Sequence, residues 1–454
     1  MTESLARKIA RFALELRWDD VPSETIHELK RRLLDSLGTA LGALNSPASR
    51  AVKACALNQG NPSNQVSLIG GGKSAPDWGA FYNGLLIRYL DFNDTYLSME
   101  PAHPSDNLAA VLAAGEREKS PPKEMILAGI IAYEIQCRLC DAASLRKKGI
   151  DHVTYGTLSA TAAVARLMEL TLEQTVHALG IAAASGIAIR QTRSGELSMW
   201  KGCAFGNVSR HAIFAAQLAK HGLTGPAPIF EGDLGLMKLI TGPFEPPEFG
   251  AKGDFMINRT YIKYWPAEYH SQSAIAAALV LRGKVPSLEA VSRIEIHTFH
   301  AAADIIGKDP EKWRPKTRET ADHSLPYCTV VALVDGQVGL EQFDETRIQD
   351  PQLVDLVNRT TVIRDENLDK RYPKGIPNRI VLRLKDGSSM EEEIDFPPGH
   401  AQCPMTDDQV IGKFLNMAKC LGEKEQKEII EFCLNWENRP AVDHLLALTQ
   451  ADTN

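Results

Sequence analysis

The period of the hydrophobic pattern changes along this chain, and that change restricts the fold more than any other feature. Up to about residue 265, apolar residues recur at helical spacing. The run 6–16 is amphipathic, and 22–44 carries Ile26, Leu29, Leu33, Leu34 and Leu37 along one face. Helical runs follow at 78–90, 108–114, 124–143, 156–170 and 202–221. Thr171-Leu172-Glu173-Gln174 has the spacing of a capping box, and Gly222 suits a helix C-cap. Beyond Pro266 comes one more helix, 271–282. The stretch 292–300 then alternates, with Ile294, Ile296 and Thr298 on one face, and reads as a strand. A further strand is predicted at 360–364, and 379–384 and 390–396 flank Asp386-Gly387, a hairpin signal. Helices resume after Pro397-Pro398-Gly399. The expected fold is mainly α. A large all-helical domain is formed from both chain ends (1–266 and 397–454), with an inserted smaller α+β lid domain at 267–396.

Between two apolar helical runs lies 91–107, Asp-Phe-Asn-Asp-Thr-Tyr-Leu-Ser-Met-Glu-Pro-Ala-His-Pro-Ser-Asp-Asn. A polar segment pinned between core helices is a place for chemistry. Pro104 suits the first turn of the second helix, with Ser105, Asp106 and Asn107 behind it. Free amides and the helix dipole would then favour an anion beside His103. The competing reading is an Asp-rich helix cap with a surface histidine.

The totals exclude several function classes. The net charge of −7 over 454 residues argues against nucleic acid as a partner. An anionic substrate would need a local basic pocket. No apolar run reaches the ~18 residues of a membrane span, and the N-terminus has no signal-peptide pattern. The eight cysteines are scattered, which suits free thiols in a reducing cytoplasm. Cys137 and Cys140 have no second pair at zinc spacing and are expected to be helix-face thiols. Gly72-Lys73-Ser74 resembles the end of a phosphate-binding loop, but Ser67 stands where the opening glycine belongs, so a turn is expected.

Polar and cationic groups gather in short stretches at helix ends: Asp91, Thr95, His103, His152, Arg190, Arg193, Lys201, Lys263, His270, Arg318 and Tyr327. Several cations near two or three histidines suit a substrate with more than one carboxylate, because a histidine near its ordinary pKa moves a proton at neutral pH.

Leu90-Asp-Phe-Asn-Asp-Thr95 followed by His103-Pro-Ser-Asp-Asn107 resembles the signature of the MmgE/PrpD family. That family includes 2-methylcitrate dehydratase, cis-aconitate decarboxylase and iminodisuccinate epimerase. Trp265-Pro-Ala-Glu-Tyr-His-Ser-Gln272, Asp322-His323 and Gly149-Ile-Asp-His152 resemble the dehydratase branch. The resemblance implies a homodimer with no metal or organic cofactor. It also implies that Asp91, Thr95, His103, His152, Lys201, Lys263 and Tyr327 carry catalysis. Arg190, Arg193, Ser105, Asp106, Asn107 and His270 are expected to bind substrate, a small tricarboxylate or dicarboxylate. The Lys201 neighbourhood, Gly195-Glu-Leu-Ser-Met-Trp-Lys-Gly202, departs from the arginine–lysine-rich sequence usual in dehydratases. The expected activity is loss of water from 2-methylcitrate or citrate. The same equipment serves decarboxylation of cis-aconitate or epimerisation beside a carboxylate. A rival of another class is a non-catalytic, carboxylate-binding helical dimer.

Overall fold

The structure, a computed structural model, describes residues 3–57 and 59–451. It divides into two compact units. One comprises Met1–Thr192, Met199–Thr260 and Thr406–Asn454, and the other Arg193–Ser198 and Tyr261–Met405.

The first unit is helical. Its elements are α1 (Leu5–Glu15), α2 (Ser23–Gly42), α3 (Pro47–Ala56), α4 (Pro76–Tyr89), α5 (Leu108–Glu118), α6 (Pro122–Ala142), α7 (Val153–Leu167), α8 (Leu172–Ser185) and α9 (Trp200–Lys220). The Thr171–Gln174 capping box opens α8 as expected. Helix α6 is buried from Met125 through Cys137 on every face, so it is a central helix rather than an amphipathic one. Cys137 and Cys140 are buried thiols on it. Helix α2 buries the predicted leucines together with Lys30, Arg31, Arg32 and Asp35. Burial of four charged side chains on one helix requires partners within the core.

Helices α4 and α9 cross closely because glycines meet at the crossing. A Cβ on Gly84 would lie 2.8 Å from the Cα of Gly206, and one on Gly206 would lie 2.5 Å from the carbonyl oxygen of Phe81. A Cβ on Gly202 would lie 3.2 Å from the Cα of Tyr89. This approach brings the C-terminal end of α4 beside the first turn of α9.

The segment 66–74 is a small antiparallel ladder of β1 (Val66–Ser67) and β2 (Lys73–Ser74). Gly70, Gly71 and Gly72 turn it with positive φ, so this is a tight turn, as the misplaced opening glycine predicts.

The second unit holds a four-stranded sheet in the order β4-β3-β5-β6. Its strands are β3 (Val291–Thr298), β4 (Thr360–Arg364), β5 (Asn378–Leu384) and β6 (Ser389–Ile394). β3 runs parallel to β4 and antiparallel to β5, with Ile294 opposite Leu382 and Ile296 opposite Ile380. The predicted face, Ile294, Ile296 and Thr298, is buried. β5 and β6 form the hairpin at Asp386-Gly387, where Gly387 has φ +89° and Asp386 accepts from the Ser388 amide. Helix α10 (Gln272–Lys284) packs on β5, β6 and on α11 (Leu325–Asp335).

The chain then returns to the helical unit with α12 (Asp407–Met417) and α13 (Glu423–Leu434), both packed on α2. No helix among the described residues is long and apolar enough to cross a membrane.

Candidate active site

The segment after α4 is almost wholly withdrawn from water. Asp91, Asn93, Asp94, Thr95, Ser105, Asp106 and Asn107 are each at most 1% exposed, and His103 is half-buried. The surface-histidine reading therefore fails. Tyr96 and Ala102 close the loop with reciprocal backbone hydrogen bonds of 2.8 and 2.9 Å, and the Thr95 hydroxyl donates to the Ala102 carbonyl at 3.1 Å.

The turn after His103 is also occupied differently from the expectation. Pro104–Asn107 is a 3₁₀ turn running into α5. The Ser105 amide is taken by Asp94 Oδ1 at 2.9 Å, and the Asp106 amide by the His103 carbonyl. The anion favoured at this helix start is thus an internal carboxylate. Ser105 and Asp106 accept from Asn93 Nδ2 (2.9 and 2.7 Å), and Asn107 bonds Gln136 and Ser159 (2.7 and 2.8 Å). These three side chains are tied into the helical core.

Arg88, in the last turn of α4, is the hub. Its guanidinium pairs with Asp91 Oδ1, lies 3.8 Å from Asp106 Oδ2, and places Nη2 3.0 Å from Nε2 of His103. Asp91 has φ +51°, in the left-handed region, at a cost of about 1 kcal/mol. Its second oxygen is 3.6 Å from Nζ of Lys201, which enters from the first turn of α9 and is 2% exposed. Two cations and two carboxylates are thereby held together out of water.

The tautomer of His103 follows from its neighbours. Nδ1 lies 2.9 Å from the backbone carbonyl of Asp94, which can only accept, so Nδ1 carries the hydrogen. Nε2 is then the acceptor and Arg88 the donor. His152 stands at the start of α7, its ring centroid 5.6 Å from that of His103 and its plane turned by 63°. Its Nδ1 is 3.1 Å from Asp151 Oδ1. The Asp151 amide donates to Ala188, and the Arg190 amide donates to Gly149, which has φ +71°. This ladder ties Gly149–His152 to the backbone of Arg190, whose side chain is half-buried.

A second layer supports the loop. Tyr133 donates to Asp94 Oδ2 at 2.7 Å, and Arg32 Nε is 3.6 Å from the same oxygen while bonding Thr260. Burial, then the Asp94 carboxylate, pushes the Tyr133 phenol well above its ordinary value. Lys413, from α12, donates to the Phe92 carbonyl at 2.7 Å and pairs with Asp35 at 2.6 Å. Reading the sequence missed Arg88, Asp94, Arg32, Asp35 and Lys413. Arg88 had a signal: it is the one charge in the apolar run 78–90, three residues before Asp91. Lys413 had none, being 321 residues from Phe92.

In the second unit, Lys263 is fully buried, and Glu268 accepts from both the amide and the Nδ1–H of His270 (2.8 and 2.7 Å). Burial pushes the Glu268 carboxyl up, but His270, His323 and Lys263 together hold it below the usual range. Asp322 pairs with Nδ1 of His323 and its carbonyl takes the Glu268 amide. Tyr327 is a core residue of α11, with its hydroxyl bonded to the Gln342 carbonyl and its phenol pushed up chiefly by burial. Arg193 falls in this unit too, on the short segment Arg193–Ser198.

Residues 7–248 match the MmgE/PrpD N-terminal domain and residues 265–438 the MmgE/PrpD C-terminal domain. The chain belongs to the MmgE/PrpD family. The N-terminal match contains Asp91, Thr95, His103, His152 and Lys201, and the C-terminal match contains His270 and Tyr327, while Lys263 lies just ahead of it. Among MmgE/PrpD relatives, the alkylcitrate dehydratase phiI of Fungal sp. (strain ATCC 74256) is 33% identical, over 91% of this chain and 88% of its own. The 2-methylcitrate dehydratase of Escherichia coli K12 is 29% identical over 89% and 88%. The mitochondrial 2-methylcitrate dehydratase of Yarrowia lipolytica is 31% identical over 72% and 67%.

Proposed function

We propose that this protein is a hydro-lyase that converts 2-methylcitrate to 2-methyl-cis-aconitate and acts on citrate by the same chemistry. The observation that carries the reading is the buried set of Arg88, Asp91 and Lys201 packed against His103, with His152 beside it. In the reaction a C–H bond and a C–OH bond break, a C=C bond forms, and one water leaves. The proton sits on carbon next to a carboxylate and is only weakly acidic. As it leaves, charge builds on that carboxylate. Fixed cations in a dry site stabilise such charge far better than water does, because they need no reorganisation. Lys201 and Arg88 are the cations so placed in the helical unit. A neutral imidazole takes the proton, and an imidazolium returns one to the departing hydroxyl. His103 and His152 are assigned to these two tasks, with Asp151 orienting His152 and Asp94 orienting His103.

Lys263 is assigned to charge stabilisation as well, on its complete burial beside Glu268, His270 and His323. All steps are given to side chains of the chain, so exhaustive chelation leaves activity intact under this proposal. A homodimer is part of it, tested by light scattering. The eight cysteines, all free thiols, suit a reducing compartment such as the cytoplasm.

The deciding experiment incubates the protein separately with 2-methylcitrate, citrate, cis-aconitate and iminodisuccinate and follows products by NMR. The hydro-lyase reading expects 2-methyl-cis-aconitate from 2-methylcitrate. Carbon dioxide release from cis-aconitate, or no turnover of 2-methylcitrate, overturns it.

A further inference from the structure

We propose that Arg88, beyond its part as a fixed cation, holds the Nε2 lone pair of His103 in reserve, and that a substrate carboxylate releases it by drawing the guanidinium away. The proposal rests on the reading of this cluster as a carboxylate site. Its tautomer half is tested independently of turnover.

The geometry leaves little freedom. Nδ1 of His103 faces a carbonyl oxygen at 2.9 Å and must donate. Nε2, the nitrogen able to accept a proton, faces Nη2 of Arg88 at 3.0 Å. A guanidinium has five N–H donors and no acceptor, so this contact exists only while Nε2 is bare. A proton arriving at Nε2 would set two N–H groups against each other. Uptake of a proton by His103 therefore requires Arg88 to move.

Arg88 cannot leave for water, being 2% exposed. Its anchor on Asp91 can act as a pivot, because Nη1 carries that contact while Nη2 carries the one to His103. A carboxylate accepts from a guanidinium through two parallel N–H···O bonds and so competes well for Nη2, where a neutral ligand does not. The arrangement then makes the base available only when an anion is bound. That protects His103 from idle protonation and ties proton transfer to occupancy.

The experiment uses the full chain with 15N-histidine and two-bond 1H–15N correlation spectra, His103 being assigned by its loss in His103→Asn. The ligand-free protein is expected to show His103 as the Nδ1–H tautomer with Nε2 hydrogen-bonded. Tricarballylate, a tricarboxylate with no hydroxyl to eliminate, should shift the Nε2 resonance at saturation, whereas its uncharged trimethyl ester should not. Arg88→Met should leave the Nε2 signal of an unbonded imine nitrogen and abolish the response. Arg88→Lys, which keeps one charge, covers the case of a methionine variant that does not fold. It should lower kcat by roughly 10- to 100-fold, as loss of a hydrogen bond to a charged group does, with a smaller change in KM. An Nε2–H tautomer or an imidazolium in the ligand-free protein overturns the proposal. So does an Nε2 shift with tricarballylate that persists in the folded Arg88 variants. A protein that shows the expected spectra but turns over no 2-methylcitrate refutes the functional reading instead.

Discussion

Lys413→Met should destabilise the protein far more than the loss of one surface lysine would. Lys413 Nζ is 2.6 Å from Asp35 Oδ1, with side-chain exposures of 5% and 0%, so nothing but protein surrounds the pair. The same nitrogen donates to the Phe92 carbonyl and lies 3.8 Å from the centre of the Phe92 ring. Removing the lysine leaves a buried carboxylate that has lost its nearest cation. Breaking a buried pair in this way costs about 3–5 kcal/mol, against about 0–1 kcal/mol for an exposed pair. For a helical unit of this size each kcal/mol moves the melting temperature by ~2 °C, so a drop of roughly 6–10 °C is expected by calorimetry. Asp35→Asn/Lys413→Met should recover most of the loss, because no charge is then stranded. The pH dependence supplies a further check. Burial pushes the Asp35 carboxyl above 3.8, and Lys413 only partly offsets it. A raised carboxyl weakens the fold as pH rises through the folded pKa and does no harm below the unfolded value. The deficit of Lys413→Met should therefore be full at neutral pH and shrink as the pH approaches 3.8. A cost below about 1 kcal/mol, or a double variant no more stable than Lys413→Met, would refute the reasoning.

Other changes test the site and the units separately. His103→Ala should lower kcat on 2-methylcitrate by about 10²–10⁴-fold with the circular dichroism spectrum unchanged; near-normal turnover would transfer the proton step to His152. Lys263→Ala should raise KM and lower kcat together, since its charge matters more as the carbanion develops; an unchanged kcat removes it from the chemistry. Gly206→Ala should cost about 1–3 kcal/mol and lower kcat, because its Cβ meets the Phe81 carbonyl and spreads α4 from α9. His400 accepts from the Gln402 amide through Nδ1, and burial pushes its imidazole down from 6.5 to about 4. Its folded state resists the proton that the unfolded chain takes up, so on the order of 3 kcal/mol of stability present above pH 6.5 is lost towards pH 4. His400→Asn should flatten that slope in pH-dependent urea melts.

The elements were legible in the sequence where one physical signal dominated. The leucine stripe of α2, the Thr171–Gln174 box and the alternation of Ile294, Ile296 and Thr298 each specify one backbone shape, and each occurs within a residue or two of its expected place. The signature loop was legible as a polar insertion, but its burial was not. Residue types at 91–107 look hydrophilic, and only long-range partners such as Tyr133, Arg32 and Lys413 show how those groups are satisfied in the core. The anion expected at the turn after His103 turned out to be Asp94 because a carboxylate eleven residues from Ser105 reaches its amide, a closure that no local pattern encodes. Arg88 was overlooked because the 3.6-residue pattern of α4 treats one arginine among apolar residues as noise.

The glycine crossing of α4 and α9 and the left-handed backbone of Asp91 act on the same atoms. Without the crossing, the two helix ends could not approach closely enough for Lys201 to stand 3.6 Å from Asp91. Without the left-handed turn at Asp91, the chain would leave α4 in another direction and its carboxylate would not lie between Arg88 and Lys201. An unpaired buried charge costs several kcal/mol, so both cations need a counter-charge in this dry site. Asp91 supplies a counter-charge to both before substrate arrives. An incoming carboxylate then meets a field already in place. The strain at Asp91 and the tight crossing are thus spent on holding charge where the proposed reaction develops it.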